Sequence, residues 1–217
     1  MTEANLTDVA TLRSRARQNV ENGAVTEGYD ADREEIIRLL NASLATELVC
    51  VLRYKRHYFM ASGIKASVAA DEFLEHATQE AEHADKLAER IVQLGGEPEF
   101  NPDLLTKNSH AQYVAGKDLK EMVYEDLVAE RIAGDSYREN SQYNGDKDPT
   151  TRRLCGENPG QGGEHGGDMG ETLKKRLTGS GNRLQSKHKG GGRPHMGATL
   201  AASTARSTLC IPGRVDS

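Results

Sequence analysis

Large aromatic residues are scarce in this chain, and their scarcity narrows the choice of fold. The 217 residues include no Trp and only three Phe, and aromatic residues make up 5% of the total. A β-sandwich would require more aromatic and β-branched side chains on its strands. The length is sufficient for one domain with a substantial core, or for one domain with a tail. The composition therefore favours a helical domain.

Long apolar runs and paired cysteines are also missing. No stretch of about 18 apolar residues is present and the N-terminus has no apolar segment, so neither a membrane span nor a secretory signal is expected. The three cysteines, Cys50, Cys155 and Cys210, are odd in number and scattered, which argues against a disulfide framework. These features predict a cytoplasmic protein without a membrane partner.

Charge is distributed unevenly along the chain. The net charge is −5, yet the segment from Lys174 to the C-terminus carries nine Lys and Arg residues and a single acid, Asp216. The remaining, acidic part of the chain should attract cations. The basic segment can contact nucleic-acid phosphates, or it can remain solvated without a function, and composition leaves both interpretations open.

Three regions are predicted along the chain. Residues 1–30 form an N-terminal arm or short helix, because this segment has helix formers but a thin apolar face. Residues 31–177 form the helical domain. Residues 178–217 form a basic, disordered tail, because they are rich in Gly, Ser and Arg and have no apolar period.

Helical periodicity is strong in three long segments of the central region. They run from Asp32 to about Ser62, from about Ser67 to Leu94, and from about Lys117 to Tyr143. About twenty residues without clear periodicity separate the second segment from the third, which indicates a crossover along the length of a bundle.

A fourth helix is expected to start at Pro149, which suits the first position of a helix. Seven glycines and Pro159 between residues 156 and 170 oppose its continuation, because both residue types disfavour helix. Ala→Gly and Glu→Gly each require a single base change, so sequence error or a decaying gene is a further explanation of this segment.

Acidic residues interrupt the apolar stripe of each long helix. Glu47, Glu80 and Glu130 each lie in mid-helix between apolar neighbours at helical spacing. One such residue alone would be interpreted as the edge of an apolar face. Three inward carboxylates persist only if they are protonated, paired or bound to metal. His83 follows Glu80 by three residues and shares its face, and this oxygen and imidazole set suits iron or manganese.

These segments resemble the bacterioferritin and Dps-like branch of the ferritin-like superfamily, from "ATELVCVLRYKRHYF" and "EHATQEAEHADKLAERIVQLGGEPEF" to "YEDLVAERIAGDSYRE" and "GDKDPTTRR…EHGGDM". The resemblance implies an all-α four-helix bundle with a long crossover between helices two and three. It also implies a dinuclear iron site, oxidation of Fe(II) by O2 or peroxide for iron storage or detoxification, and a homo-oligomeric shell. The implied metal ligands are Glu47, Glu80, His83, Glu130 and His165, and the candidate catalytic residue is Tyr54.

Two positions depart from the pattern of the family. Ala81 stands where haem-binding bacterioferritins carry an axial methionine, which argues against haem. Gly162 stands three residues before His165, where relatives carry a bridging glutamate, and the adjacent Glu164 points about 100° away on a helix. The missing glutamate makes a member with an impaired metal site one alternative. The basic tail makes a Dps-like nucleic-acid-binding stress protein the other. The histidines His57 and His76 are expected at the surface or at a helix edge.

Overall fold

The computed structural model describes residues 6–23, 25–61 and 67–157, and within these ranges the chain forms helices and loops without any strand. The helices are α1 (Val9–Arg15), α2 (Arg33–Met60), α3 (Ser67–Gln93), α4 (Pro102–Asn108) and α5 (Leu119–Asn144), and a short 3-10 turn spans Val20–Asn22. A further helix, α6, begins at Pro149 and continues to residue 157, the last one described. The predicted all-α class is confirmed, and α2, α3, α5 and α6 correspond to the four predicted bundle helices.

Side-chain caps fix where α2 and α5 begin. The Asp32 carboxylate accepts a hydrogen bond from the backbone N–H of Glu35 at 3.1 Å, and the Asp118 carboxylate accepts one from Glu121 at 2.9 Å. Each bond satisfies a backbone donor that has no partner within its own helix. After α3 the chain turns at Gly95, whose φ of 77° favours glycine.

Cross-helix contacts show how the long helices run. Along α2 and α5, Arg53 contacts Asp126 whereas the earlier Ser43 contacts the later Asn140, so these two helices are antiparallel. The helices α2 and α3 are also antiparallel, since His83 lies beside Glu47 and His76 beside Tyr54. It follows that α3 and α5 run in the same direction, which requires the long connection between them.

That connection, residues 94–118, lies along α2 and is attached to it by polar side chains. Asn41 donates to the carbonyl of Glu97 at 3.1 Å and accepts from the N–H of Glu99 at 2.8 Å. Farther along α2, Arg53 donates to the carbonyl of Gln112 at 2.9 Å. The segment therefore follows α2 from Asn41 to Arg53, as the sequence predicted for a crossover.

Among the described residues, the two larger apolar clusters of the bundle have a polar layer between them. One cluster includes Cys50, Phe73 and Val123, and the other includes Leu40, Leu87 and Ile91. Cys50 is buried among apolar neighbours, as expected for a packing residue. The acidic residues that interrupt the stripes fall between the two clusters.

Asp148 fastens the beginning of α6 to the rest of the domain. Its carboxylate accepts hydrogen bonds from the Thr151 N–H at 2.9 Å and from the Tyr29 hydroxyl at 2.7 Å. The Nη2 atom of Arg90 in α3 donates to both oxygens of the same carboxylate, at 2.9 and 3.0 Å. Three separate parts of the chain thus meet at one buried aspartate.

Several predictions fall outside the described residues, among them those for Gly162, His165, the remainder of the Gly-rich segment and the tail at 178–217. The proposed domain boundaries remain predictions. Among the described helices, none combines the length and the apolar character needed to cross a membrane.

Candidate metal centre

Four of the five predicted metal ligands meet in the polar layer of the bundle. Glu47 projects from α2, Glu80 and His83 from α3, and Glu130 from α5, and each is at most 5% exposed. They converge because each occupies the inward stripe of its helix, and Glu80 and His83 are one helical turn apart. The fifth predicted ligand, His165, lies outside the described residues.

Three of these side chains form a compact group. Glu47, Glu80 and His83 can each offer one ligand atom, and the three atoms lie within 4.8 Å of one another. The Nδ1 atom of His83 is 2.9 Å from Oε2 of Glu80 and 3.9 Å from Oε2 of Glu47. Two carboxylate oxygens and one imidazole nitrogen are suitable donors for a divalent iron or manganese ion.

Glu80 connects this group to Glu130. It shares side-chain hydrogen bonds with both Glu47 and Glu130, so three carboxyl groups from three helices form one continuous chain. Carboxyl groups at this separation cannot all be ionised without a cation, because their charges repel one another and are removed from water.

Burial changes the protonation of all three carboxyl groups. Loss of hydration, followed by repulsion from Glu80, raises the pKa of Glu47 well above its usual value. Loss of hydration is also the main cause that raises the pKa of Glu80 to about 8 and that of Glu130 to about 7. Metal-free protein therefore retains protons in this centre near neutral pH, and a bound cation would replace them.

Two tyrosines hold the outer carboxylates in place. The hydroxyl of Tyr54 donates a hydrogen bond to Oε1 of Glu130, and the hydroxyl of Tyr137 donates one to Oε1 of Glu47. Tyr54 was a predicted site residue, whereas Tyr137 was not. Its signal is present in the sequence, because Tyr137 follows Glu130 by seven residues just as Tyr54 follows Glu47.

The expectation of surface or helix-edge positions for His57 and His76 is wrong. His76 is 5% exposed, and its Nδ1 lies 3.4 Å from the Tyr54 hydroxyl. His57 is fully buried, with Nδ1 2.8 Å from Asp126 Oδ2 and Nε2 3.1 Å from the carbonyl of Ala115. Both residues are buried because their partners come from other elements, which a single helical stripe does not reveal.

Arg53 completes a buried charged group next to the centre. Its Nε donates to Asp126 Oδ1 at 2.8 Å, while Asp126 Oδ2 faces His57, and all three side chains are almost completely buried. The guanidinium also lies 5.9 Å from the centroid of the Tyr54 ring. This group supports the α2–α5 contact immediately beside the Tyr54–Glu130 pair.

Comparisons with known proteins agree with this architecture. Residues 37–175 match the ferritin-like domain family. The bacterioferritin-related, dodecameric thioferritin of Bacteroides fragilis is similar in structure, with a TM-score of 0.67, 25% identity, and coverage of 71% of this chain and 94% of that protein. Dps from Thermosynechococcus elongatus gives a TM-score of 0.62 at 21% identity over 70% of this chain and 96% of that one, which shows similarity of fold.

In sequence, the chain is similar to the DNA protection during starvation protein of Halobacterium salinarum, with 36% identity over 94 residues. That alignment covers 42% of this chain and spans about half, 51%, of the relative. The family match is much longer and includes every described ligand candidate. The chain therefore belongs to the ferritin-like domain family.

Proposed function

We propose that this protein binds Fe(II) at the centre formed by Glu47, Glu80, His83 and Glu130 and oxidises it, in iron storage or detoxification. The observation that supports this function best is the buried group of Glu47, Glu80 and His83, whose ligand atoms lie within 4.8 Å of one another. Buried carboxylates with raised pKa values are costly to maintain, and their cost is offset when a cation binds.

The four side chains have distinct roles in this proposal. Glu47 and His83 hold one Fe(II), and Glu80 lies between that position and a second one beside Glu130, with His165 as the expected second imidazole. Each Fe(II) loses one electron. One O2 takes up two electrons and two protons to become H2O2, or one peroxide takes up the same to become two waters.

Protons and charge limit how the centre is loaded. Because the carboxyl groups of Glu80 and Glu130 have pKa values of about 8 and 7, iron must displace protons from them near neutral pH. Iron binding is therefore expected to release protons and to weaken as the pH falls from about 8 to about 6.

A homo-oligomeric shell is part of the proposal. The Bacteroides fragilis relative is dodecameric, and α2 of this chain exposes apolar side chains, with Leu52 54%, Phe59 78% and Met60 54% exposed. Leu52 and Phe59 are seven residues apart and lie on one face of α2, and a contiguous exposed apolar patch is the feature that marks protein–protein contacts. The mass of the purified protein, measured by light scattering, tests assembly separately from iron chemistry.

Iron content and oxidation kinetics test the proposed activity. Fe(II) added without oxygen should bind to the purified oligomer, and admission of O2 should give Fe(III) faster than in buffer alone. Glu82→Gln, on the exposed face of α3, is the matched control and should behave as wild type. Failure of the wild-type protein to bind Fe(II), or to oxidise it faster than buffer, would refute the proposal.

The impaired-site alternative has its own test at Gly162. If the missing carboxylate limits the second position, Gly162→Glu should increase both the iron bound per subunit and the oxidation rate. Tight binding of two iron ions per subunit by the unchanged chain would argue against impairment.

Nucleic-acid binding is a second candidate function, favoured by the nine basic residues from Lys174 onward. Contact through phosphates would make DNA retention fall steeply with salt. Truncation after Arg176 should abolish that retention, and absence of retention by the full chain at low salt would exclude the function.

A further inference from the structure

We propose that Tyr137 and Tyr54 are positioning residues that each restrict the carboxylate on the opposite helix to one metal-binding oxygen. This inference rests on the proposed iron-binding function and extends it, because it assigns a role to Tyr137 and separates the two metal positions. Both roles follow from the hydrogen bonds that the two hydroxyls donate.

The arrangement is reciprocal. Glu47 and Tyr54 are seven residues apart on α2, and Glu130 and Tyr137 are seven residues apart on α5. A separation of seven places two side chains on the same face of a helix, about two turns apart. Because α2 and α5 are antiparallel, each tyrosine lies opposite the glutamate of the other helix and donates to it.

For Glu47, the hydrogen bond distinguishes its two oxygens. Oε1 accepts from Tyr137, and Oε2 faces Nδ1 of His83 at 3.9 Å. A carboxylate with both oxygens available can bind a cation through either or both of them. With Oε1 engaged, Glu47 offers Oε2 to the position that it shares with Glu80 and His83.

Glu130, on the other side of the centre, also has one oxygen engaged by a tyrosine. Its Oε1 accepts from Tyr54, and its carboxyl group is also hydrogen-bonded to Glu80. Tyr54 therefore acts on the position beside Glu130, and Tyr137 acts on the position beside Glu47.

The tyrosines are held in separate surroundings, so each can be altered independently. Tyr54 is completely buried in the apolar cluster that contains Phe73, and Tyr137 is 3% exposed in the cluster that contains Leu87. Neither hydroxyl can exchange its carboxylate for bulk water without rearrangement of the core.

Co(II) titration of the metal-free oligomer tests the proposal, because the visible absorption of Co(II) reports the number and type of its ligands. The first Co(II) should occupy the position of Glu47, Glu80 and His83, where the three donors already lie within 4.8 Å of one another. Tyr137→Phe should change the spectrum of this first ion and weaken its binding by roughly 10- to 100-fold, the range typical for loss of a hydrogen bond to a metal ligand.

Tyr54→Phe should leave the first ion unchanged and weaken the second by a similar factor. Tyr124→Phe, at a residue of α5 that is 53% exposed, is the matched control and should leave both ions unchanged. Phenylalanine preserves the ring, and the thermal stability of each metal-free variant establishes that it is folded. If one variant fails to fold, the other still tests whether its own tyrosine positions the carboxylate that it contacts.

The experiment distinguishes failure of the positioning roles from failure of the proposed iron-binding function. Wild-type Co(II) binding with an unaltered first spectrum in Tyr137→Phe, or with identical effects of both variants, would overturn the positioning roles alone. A wild-type protein that binds neither Co(II) nor Fe(II) would overturn the proposed function and the positioning roles together. If Tyr137→Phe affects only the first ion and Tyr54→Phe only the second, the result would support both the positioning roles and the proposed metal-binding function.

Discussion

At the scale of single residues, the buried carboxyl groups dominate the behaviour of this protein. Glu47, Glu80 and Glu130 lie within one hydrogen-bonded chain and are all nearly inaccessible to water. Without a cation, such groups favour the protonated form and reduce stability when they ionise. The same residues that suit metal binding therefore weaken the metal-free fold.

Metal-free protein should lose stability as the pH rises through neutrality. The folded-state pKa values are about 8 for Glu80 and about 7 for Glu130, both above the ordinary value of 4.5. A raised carboxyl pKa contributes stability that is fully present below about 4.5 and is lost as the pH rises through 7 to 8. Thermal unfolding in the presence of a chelator, measured from pH 5 to pH 9, checks this direction. A melting temperature that rises across the upper half of this range would contradict it.

Glu80→Gln should separate metal binding from stability. The substitution removes an ionisable group that is about 5% exposed and that lies between two other carboxyl groups. We expect loss of Co(II) binding by at least about 100-fold, since a proposed direct ligand is removed. The metal-free variant should melt higher than wild type at pH 8 and show a weaker pH dependence, because one repelling charge is absent. Glu82→Gln serves as the control for both measurements.

The residues of the centre were only partly predictable from the sequence. Glu47, Glu80 and Glu130 could be found because each places a carboxyl group on an apolar helical stripe, and His83 because it follows Glu80 by three residues, both of which are local patterns. Tyr137 follows Glu130 by seven residues, but tyrosine is an ordinary core residue, and its hydrogen bond to Glu47 of α2 is a contact that this spacing alone does not reveal.

At the scale of the helices, Asp148 is the most consequential attachment point. It accepts hydrogen bonds from Tyr29, Arg90 and Thr151, and so joins the N-terminal segment and α3 to the beginning of α6. Its sequence neighbourhood, "NGDKDP", predicts a turn before Pro149. The convergence of two distant segments on that turn could not be predicted from it.

Asp148→Ala should destabilise the protein by about 3 kcal/mol, because it leaves the mostly buried guanidinium of Arg90 without its carboxylate and removes a helix cap. Chemical denaturation at constant pH provides the measurement. Asp146→Ala is a close control, since Asp146 forms an ion pair with Arg152 at the surface and is 99% exposed. Equal losses of stability in the two variants would show that the buried contacts of Asp148 stabilise the protein no more than the surface ion pair of Asp146 does.

At the scale of the whole molecule, the order of the helices followed from the sequence. The three long periodic segments and the crossover are present within a few residues of their predicted bounds, since burial of an apolar stripe determines both periodicity and length. Less could be said of the segment after residue 157. Its glycines oppose a helix whereas its resemblance to relatives implies one, and local propensity does not decide between them.

Metal binding should stabilise the whole fold, because the proposed ligands come from three different helices. A ligand present at 100 times its dissociation constant adds about 2.7 kcal/mol, which raises the melting temperature of a domain of this size by several degrees. Co(II) titration followed by thermal unfolding checks this expectation. Glu80→Gln should show no such increase, and an equal increase in that variant would place the stabilising ion elsewhere.

The way the crossover is attached has a practical consequence for protein engineering. Arg53 binds the backbone carbonyl of Gln112, and His57 contacts that of Ala115, while the side chains of Gln112 and Tyr113 point to solvent. Backbone carbonyls are common to every amino acid, so these attachments do not depend on the sequence of residues 112–115. The exposed positions 112 and 113 are therefore suitable places to display randomised side chains on the outside of the bundle while the buried carboxyl groups behind them are preserved.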